Sequence, residues 1–358
     1  MVSLLGTNHT EILATNDMIG ASLAECLWHC EKPVLRTAPV PLFLLSDLVN
    51  SSGYKVVLTG EGADEVFGGY NIFREDKVRR FWARYPQSQR RAALLGELYP
   101  YIFDNPRLKR TLQSFFGRGL DETDDPIYSH LIRWNNTSRL KTFFAGEIAD
   151  AIGSYCGCEQ VRQSLPEAYG RADNLTKAQY LEMSIFLSNY LLSSQGDRVA
   201  MAHSLEIRLP YLDPRVIDFM GRVPAKWKIF GLNEKHILKK SFQGVLPDEI
   251  TGRPKNPYRA PIKQSLLNKK TGEYTREVLS EKSLEKAGLF DARKVTRLLS
   301  KLEALESPSE IDNMALVGIL SSQLVHHQFI QDFPRRPADS ISPAVMVDRR
   351  SKALRSAD

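Results

Sequence analysis

The chain has 358 residues, of which 42% are apolar and 25% are charged, and its formal charge is +6. These values are typical of a globular protein of one or two domains. Its apolar runs are far shorter than the roughly 18 residues that cross a bilayer, and its first residues lack the features of a secretory signal. Composition therefore predicts a cytoplasmic protein without a membrane partner.

The first sixty or so positions predict two helices and a strand. Apolar residues recur at helical spacing over residues 12–30, which predicts a surface helix. A second helix is expected to open at Pro41 and to end at Gly53. The segment YKVVLT, residues 54–59, is apolar on successive positions, as in a strand covered on both faces in a parallel sheet. The predicted fold class is therefore α/β.

Beyond this strand the sequence predicts helices and no convincing further strand up to Phe333. Residues 74–118 are typical of basic helices interrupted by prolines, and residues 175–192 carry apolar residues at three- and four-residue steps. We therefore predict an α/β part over residues 1–75 and a mostly helical part of the same domain over residues 76–333.

Residues 334–358 are predicted to form a basic, disordered tail. They contain six basic residues and three aspartates, and they are rich in proline, serine and alanine. A segment with so little apolar periodicity is typical of disorder, because it cannot bury enough apolar surface to fold.

The four cysteines are Cys26, Cys30, Cys156 and Cys158. In a cytosolic chain this spacing does not indicate a disulfide framework. The two pairs could instead form a zinc site, but a Cys-x-Cys spacing fits structural zinc poorly. We therefore expect buried or unreactive thiols.

The segment VVLTGEGADEVFGGY, residues 56–70, places a glycine loop between the predicted strand and the next helix. Such loops commonly bind phosphate through free N–H groups and the helix dipole. Here Glu65 stands where a dinucleotide fingerprint needs its third glycine, and no Lys-Ser or Lys-Thr pair completes a Walker A loop. The segment therefore matches neither of these two phosphate-binding loops.

Three carboxylates, Glu61, Asp64 and Glu65, follow the strand closely. Asp64 and Glu65 fall in the first turn of the predicted helix, where acidic side chains gain about 0.3–1 kcal/mol. Glu61 lies in the loop, at the carboxyl end of a strand, where open α/β sheets bind ligands. Helix capping explains two of the three, whereas separated carboxylates also suit magnesium binding on a polyphosphate and proton removal from a nucleophile.

The same segment closely resembles the signature of the synthetase domain of glutamine-hydrolysing asparagine synthetases. Two further blocks resemble that family in the same order, SNYLLSSQGDRVAMAHSLEIRLPYLD at residues 188–213 and NEKHILKK at residues 233–240. The likeness extends from about Gly6 to Phe333. It implies a partial adenine-nucleotide α-hydrolase-like (ATP pyrophosphatase) parallel sheet with a large, mostly helical remainder.

The resemblance also implies an activity. Family members activate aspartate with ATP as β-aspartyl-AMP, release magnesium pyrophosphate, and let ammonia displace AMP to give asparagine. The implied cofactors are ATP and Mg²⁺. The implied partners are aspartate and ammonia, which the complete enzymes obtain from glutamine.

Carried onto this sequence, the resemblance assigns four residues around the loop. Thr59 and Gly60 would contact ATP, although most relatives have serine where Thr59 stands. Glu61 matches the acidic residue that acts in forming and aminating the acyl-adenylate. Asp64 matches the carboxylate that faces magnesium and pyrophosphate.

Cations complete the implied site. Lys235 matches a lysine that stabilises charge on the reacting groups, and Arg36 lies near a family arginine associated with pyrophosphate. Lys235 follows Asn233, a good N-cap, and a cation in a first turn is unfavourable for the helix dipole, which favours a functional role. Arg253 and Lys255 either reach phosphate or belong to a solvated loop.

The second block also contains charged pairs. Asp197 and Arg198 are adjacent, and Glu206 and Arg208 would share one face of an extended segment. We interpret these pairs as a buried ion-pair scaffold rather than as catalytic groups.

Two parts of the family pattern are absent from the sequence. The glutaminase domain begins with a cysteine directly after the initiator methionine, whereas Val2 and Ser3 follow Met1 here. The phosphate loop, Ser-Gly-Gly-x-Asp-Ser, is also not found. We therefore expect a partner chain or a missing amino-terminal segment to carry both, and we expect poor ATP affinity in this chain alone.

Two other functions stay open: a non-catalytic remnant or subunit, and a relative that amidates or cyclises another carboxylate. A third hypothesis is nucleic-acid binding through residues 74–118, where arginines interleave with aromatic residues. Acidic residues interrupt that run, so we expect no nucleic-acid partner.

Overall fold

The computed structural model describes residues 2–100, 106–253, 255 and 258–333. Over these residues the protein is α/β and mostly helical, with one small parallel sheet. The predicted tail, residues 334–358, lies outside the described residues. Within the described ranges, no helix has the length and apolar character needed to cross a membrane.

Short helices make up most of the described chain. In the first half they are α1 (Val2–Leu5), α2 (Asn16–Ala21), α3 (Leu23–Cys30), α4 (Pro39–Ser51), α5 (Ala63–Phe67), α6 (Asn71–Ala83), α7 (Gln89–Ala93), α8 (Leu95–Leu98), α9 (Pro106–Phe116), α10 (Tyr128–Ser138), α11 (Gly146–Ile152), α12 (Gly157–Ser164) and α13 (Asn174–Leu181). In the second half they are α14 (Arg198–Met201), α15 (Pro214–Arg222), α16 (Ala225–Lys228), α17 (His236–Ser241), α18 (Asp248–Thr251), α19 (Lys263–Leu266), α20 (Gly272–Val278), α21 (Glu281–Ala287), α22 (Ala292–Ala304) and α23 (Glu310–His326). Segments of π-helix span Glu182–Asp197 and His327–Gln331, and 3-10 turns span Arg139–Phe143, Glu167–Arg171 and Pro210–Leu212.

The sheet consists of β1 (Val56–Leu58) and β2 (Glu206–Arg208), which pair in parallel with Val57 opposite Ile207. The prediction that no strand follows the first one is therefore wrong. The tripeptide Glu-Ile-Arg carries no apolar run, and its extended conformation depends on pairing with a distant strand.

β1 differs from the fully covered strand that we predicted. Val56 is 48% exposed and Leu58 is 75% exposed. Parallel strands are normally buried on both faces. The described residues therefore leave one face of this sheet open.

The largest apolar cluster joins the amino-terminal helices to α23. Ile19 on α2 and Leu23 and Leu27 on α3 are buried with Leu316 and Leu320 of α23. Fully burying such side chains contributes about 1.5–3 kcal/mol each. The predicted surface helix over residues 12–30 is instead two helices, separated at Ser22, that form part of the core.

Two other helix predictions are confirmed with shifted boundaries. α4 begins at Pro39, two positions before Pro41, and ends at Ser51. Residues 175–192 are helical, as α13 followed by the π-helix. α6 runs across the predicted division between residues 75 and 76, and that division stays a prediction.

α6, which lies in the region predicted to form basic helices, buries several charged side chains. Arg79 is fully buried and donates to the carbonyl oxygens of Phe116 at 3.1 Å, Arg118 at 2.8 Å and Tyr128 at 3.3 Å. Arg74 is also buried, and it pairs with Glu234 at 3.1 Å. These two arginines bond within the protein and are therefore not available to a nucleic acid.

The charged pairs of the second block are not a buried scaffold. Arg208 Nε lies 2.5 Å from Glu206 Oε1, and both side chains are well exposed. Arg198 pairs with Glu31 at the end of α3 rather than with Asp197. Because exposed pairs contribute only about 0–1 kcal/mol, they stabilise the fold little.

The cysteines fall into two separate environments. Cys26 and Cys30 are buried on α3 with their sulfurs 3.9 Å apart, whereas Cys156 is exposed and Cys158 is half-buried at the start of α12. Among the described residues no group of three or more metal-ligating side chains is placed to hold an ion. The expectation of buried thiols holds for the first pair.

Candidate functional site

The loop after β1 turns at Gly62. This residue has φ of +88°, and a Cβ atom there would lie 2.2 Å from Leu212 Cδ2, so only glycine fits. The turn starts α5, with Asp64 in its first turn and Glu61 just before it. At the end of β1, Thr59 N–H donates to Arg208 O at 3.0 Å, which fixes the loop to the sheet.

Asp64 lies between two lysines that are distant in sequence. Its Oδ1 is 2.9 Å from Lys235 Nζ, and its Oδ2 accepts a hydrogen bond from Lys255 Nζ at 2.7 Å. The carboxylate is 16% exposed and each lysine 22%. One negative and two positive charges meet in a partly buried place, where they are screened less than on the surface. The group can therefore attract an anionic ligand.

Lys235 occupies a strained backbone position rather than the first turn of a helix. Its φ is +49°, in the left-handed region, and α17 begins only at His236. Asn233 is therefore not the N-cap that we predicted. A left-handed non-glycine residue costs roughly 1–3 kcal/mol and persists where its surroundings hold it. Here the contact with Asp64 holds the side chain.

Lys255 belongs to the site, although its sequence context left it undecided between a phosphate contact and a solvated loop. Besides the bond to Asp64, its backbone N–H donates to Glu234 Oε1 at 3.0 Å. A lysine in a proline-rich loop has no periodicity that could reveal such a contact. Only the fold brings it to the carboxylate.

A cleft of about 360 Å³ opens beside the two lysines. Its basic lining residues are Lys235, Lys239, Arg253 and Lys255. Its acidic lining residue, Glu234, is paired with Lys239 at 2.9 Å. The cleft therefore carries an excess of positive charge and suits a phosphate-bearing ligand.

Glu61 has a raised pKa. Burial is the main cause, the charge of Asp64 adds to it, and Lys255 opposes it. A carboxylate so perturbed, which interacts with the cleft-lining Lys255, is a candidate for proton transfer, since its proton affinity moves toward that needed near neutral pH.

Glu65 is a buried residue of α5 that lies next to Asp64. Its side chain is buried, and burial raises its pKa to about 7, although the hydrogen bond that it accepts from Tyr70 Oη at 2.8 Å lowers it. The charges of Asp64 and Glu182 raise the pKa further. Gln179 Nε2 donates to the Glu65 carbonyl at 2.6 Å and so fixes α5 in place.

Glu65→Gln is expected to flatten the pH dependence of stability. The pKa of this carboxyl group rises from 4.5 to about 7 on folding. Its contribution to the free energy of unfolding is therefore fully present below pH 4.5 and is lost as the pH rises through 7. The free energy of unfolding of the variant, relative to that of the parent, should therefore be about 3 kcal/mol higher at pH 8 than at pH 4.5. Urea denaturation at several pH values measures this, and parallel curves for both proteins would contradict it.

Gly69 keeps space for the ion pair. Its φ lies outside the left-handed region, but a Cβ atom would lie 2.0 Å from Asp64 Oδ1 and 2.6 Å from Lys235 Cε. Gly69→Ala is therefore expected to displace both side chains and to cost about 1–3 kcal/mol of unfolding free energy, measured by urea denaturation. Gly221→Ala, on α15 with open space around it, is the matched control and should be neutral or stabilising. Equal stability of both variants would refute the steric argument.

Thr59 and Gly60 lie beside Glu61 at the end of β1, as the loop requires. Within the described part of the chain, Thr59 Oγ1 is buried without a hydrogen-bond partner, and a Cβ atom at Gly60 would meet nothing within 4 Å. Arg36, in contrast, forms an ion pair with Glu310 of α23 at 2.5 Å. Its role at the site stays a prediction.

Comparisons with known proteins identify relatives of the chain. The sequence model of the family described as asparagine synthase matches residues 1–327. A putative glutamine-hydrolysing asparagine synthetase of Mycobacterium bovis is 29% identical over 301 residues, which cover 83% of this chain and 43% of that protein. Asparagine synthetase 1 of Bacillus subtilis is 26% identical over 259 residues, or 72% of this chain and 39% of that protein.

A fungal relative carries a different name. The amidase chyE of Penicillium rubens is 26% identical over 327 residues, which cover 85% of this chain and 46% of that protein. The chain therefore spans less than half the length of each of these three curated relatives.

Proposed function

The chain belongs to the asparagine synthase family, whose sequence model covers residues 1–327, and we propose that it carries the synthetase centre of an ATP-dependent ligase that converts aspartate to asparagine. The main support for this proposal is that the carboxylate of Asp64 lies between Lys235 and Lys255, at the carboxyl end of β1. Glu61 lies close enough to Asp64 for the two charges to interact.

In the first proposed step, the β-carboxylate of aspartate attacks the α-phosphorus of ATP, and pyrophosphate leaves. Negative charge accumulates on the leaving group, and preorganised cations stabilise such charge electrostatically. Lys235 and Lys255 supply two ammonium groups, which Asp64 orients toward one place. The product is β-aspartyl-AMP.

In the second proposed step, ammonia attacks the acyl carbon of β-aspartyl-AMP, and AMP leaves. The attacking nitrogen must lose a proton, and Glu61 is the proposed base. Its raised pKa makes it a stronger base than an exposed glutamate. Asp64 contributes to that shift, so the pyrophosphate and amination functions are electrostatically linked.

Residues at the loop fit both implied cofactors. Thr59 has a buried hydroxyl group that no described residue bonds, and no described atom fills the space beside Gly60, so both residues fit a contact with ATP. Mg²⁺ would be held by Asp64 together with phosphate oxygens, because this ion usually binds one or two carboxylates and keeps substrate oxygens and waters as its other ligands. When bound, it neutralises charge on the polyphosphate.

We also propose that the sheet belongs to an adenine-nucleotide α-hydrolase-like (ATP pyrophosphatase) fold completed by further polypeptide. The exposed side chains of Val56 and Leu58 support this, since a parallel sheet is normally covered on both faces. The proposed segment would carry the phosphate loop and the glutaminase domain, which supplies ammonia.

A second candidate function is the amidation of another carboxylate. The similarity to a protein named an amidase, at an identity close to that of the Bacillus synthetase, favours it. The same cations and the same base would serve, because only the acyl group differs.

ATP–pyrophosphate exchange tests both functions. We expect exchange that requires Mg²⁺ and aspartate, and release of AMP and asparagine when ammonium is added. Exchange driven by another carboxylate and not by aspartate would replace the first function with the second. No binding of magnesium-ATP by calorimetry, with the complementing segment present, would refute both.

A further inference from the structure

Two thiols lie two residues apart at the start of α12, on a surface that the proposed reaction does not use. Cys156 is the N-cap residue, with φ of −127° and ψ of 112°, and its side chain is exposed. Cys158 is the second residue of the helix and is half-buried. Gly157 separates them, and even a Cβ atom there would meet nothing closer than Tyr155 Oη at 3.9 Å. The thiols are therefore neighbours with an unhindered backbone between them.

The surroundings of Cys156 favour its thiolate. The backbone N–H groups of Glu159 and Cys158, at the start of α12, and the positive charge of Lys141 favour the charged form, so that the pKa of this thiol is lowered. Lys141 is held nearby because its Nζ donates to the carbonyl of Tyr155 at 2.8 Å. An exposed thiolate is the form of cysteine that attacks oxidants.

Cys158 has the opposite character. Burial raises its pKa, and the charge of Cys156 raises it further. It packs against an apolar cluster that includes Ile127, Leu131 and Leu181. It lies close enough to Cys156 for the two side chains to interact. The pair thus combines one accessible nucleophile with one more protected thiol two residues away.

We propose that Cys156 and Cys158 form a reversible redox-modification site that reacts with hydroperoxides. The Cys156 thiolate attacks the terminal peroxide oxygen, the O–O bond breaks, and the alkoxide leaves and takes up a proton, which gives a sulfenic acid and an alcohol. The Cys158 sulfur then attacks the sulfenic sulfur, and water leaves as the disulfide forms. The two thiols lose two electrons in total, and the peroxide gains them.

The product is expected to be easily reduced. A disulfide across a single residue closes a small ring, and strained, exposed disulfides have the higher reduction potentials of labile bridges. Thiol reductants should therefore restore both cysteines. Without the second thiol, the sulfenic acid would persist and proceed to irreversible oxidation.

The test uses the four cysteines as their own controls. The folded protein is pulse-labelled with iodoacetamide at pH 7, and separately treated with hydrogen peroxide and then digested for mass spectrometry. Cys156 is expected to be alkylated at least about tenfold faster than Cys158, and Cys26 and Cys30 should stay unlabelled because they are buried. Peroxide should remove two hydrogens from the peptide that contains Cys156 and Cys158, and dithiothreitol should restore them.

Two serine variants separate the roles. Cys158→Ser is expected to trap a sulfenic acid that dimedone labels, and Cys156→Ser should abolish the reaction while keeping a good N-cap residue. Equal alkylation of the two thiols, or peroxide treatment that leaves both reduced, would overturn the proposal. These residues lie outside the ATP site, so this result does not depend on the proposed function.

Discussion

Replacing Arg79 with alanine is expected to lower the free energy of unfolding by about 3–5 kcal/mol. The guanidinium is fully buried and donates to three backbone carbonyls, those of Phe116, Arg118 and Tyr128. Its Cζ also lies 4.2 Å from the centroid of the Tyr128 ring. Alanine would remove all three hydrogen bonds and open a cavity, and a buried polar group left unsatisfied costs about 1–3 kcal/mol.

Urea denaturation followed by circular dichroism measures this loss. Arg84→Ala is the matched control, since Arg84 follows the same helix and is exposed. The control should stay within about 0.5 kcal/mol of the parent. Equal urea midpoints for Arg79→Ala and Arg84→Ala would show that the hydrogen bonds of the buried Arg79 do not stabilise the fold.

Asp64→Asn is expected to lower the rate of aspartate-dependent ATP–pyrophosphate exchange by at least about 100-fold. Asparagine keeps the size of the side chain but not its charge. Lys235 and Lys255 would then face each other without the carboxylate that orients them, and the proposed magnesium ligand would be lost. The concentration of Mg²⁺ needed for half-maximal exchange should therefore rise as well.

Asp218→Asn provides the control for this activity. Asp218 is an exposed aspartate of α15 that pairs with Arg222 at 2.6 Å, and its loss should leave exchange unchanged. If Asp64→Asn exchanged at the parental rate with the same magnesium requirement, pyrophosphate would have to leave through other groups. Asp64 would then have no place in the proposed first step.

Local sequence predicts the strand, the glycine loop and the helix start around Asp64 well. These features depend on neighbours in the chain: an apolar run, a left-handed glycine at Gly62 and an acidic first turn. The lysines are different. Family resemblance assigns Lys235 a role but not a contact with Asp64, and the sequence does not decide between a phosphate contact and a solvated loop for Lys255. The catalytic roles of all three residues stay predictions.

The failed predictions share a physical cause. β2 consists of Glu206–Arg208, whose residues alone do not favour a strand, and it forms because β1 pairs with it. α6 lies in the region predicted to form basic helices, but the sequence does not show that Arg74 and Arg79 have buried partners elsewhere in the chain. Periodicity reports which residues are apolar, whereas these outcomes depend on which distant groups meet.

The bond between Asp64 and Lys255 closes a loop of 191 positions. The pairing of β1 with β2 closes another long loop, between Val57 and Ile207. Contacts so remote in sequence form late in folding, because closing the long loop lowers the entropy of the chain before the contact can stabilise the fold. During synthesis the acidic loop therefore leaves the ribosome well before its lysines. Lys235 and Lys255 are synthesised much later than Asp64. Most of the helices between them must therefore be synthesised before the three charged side chains can come together.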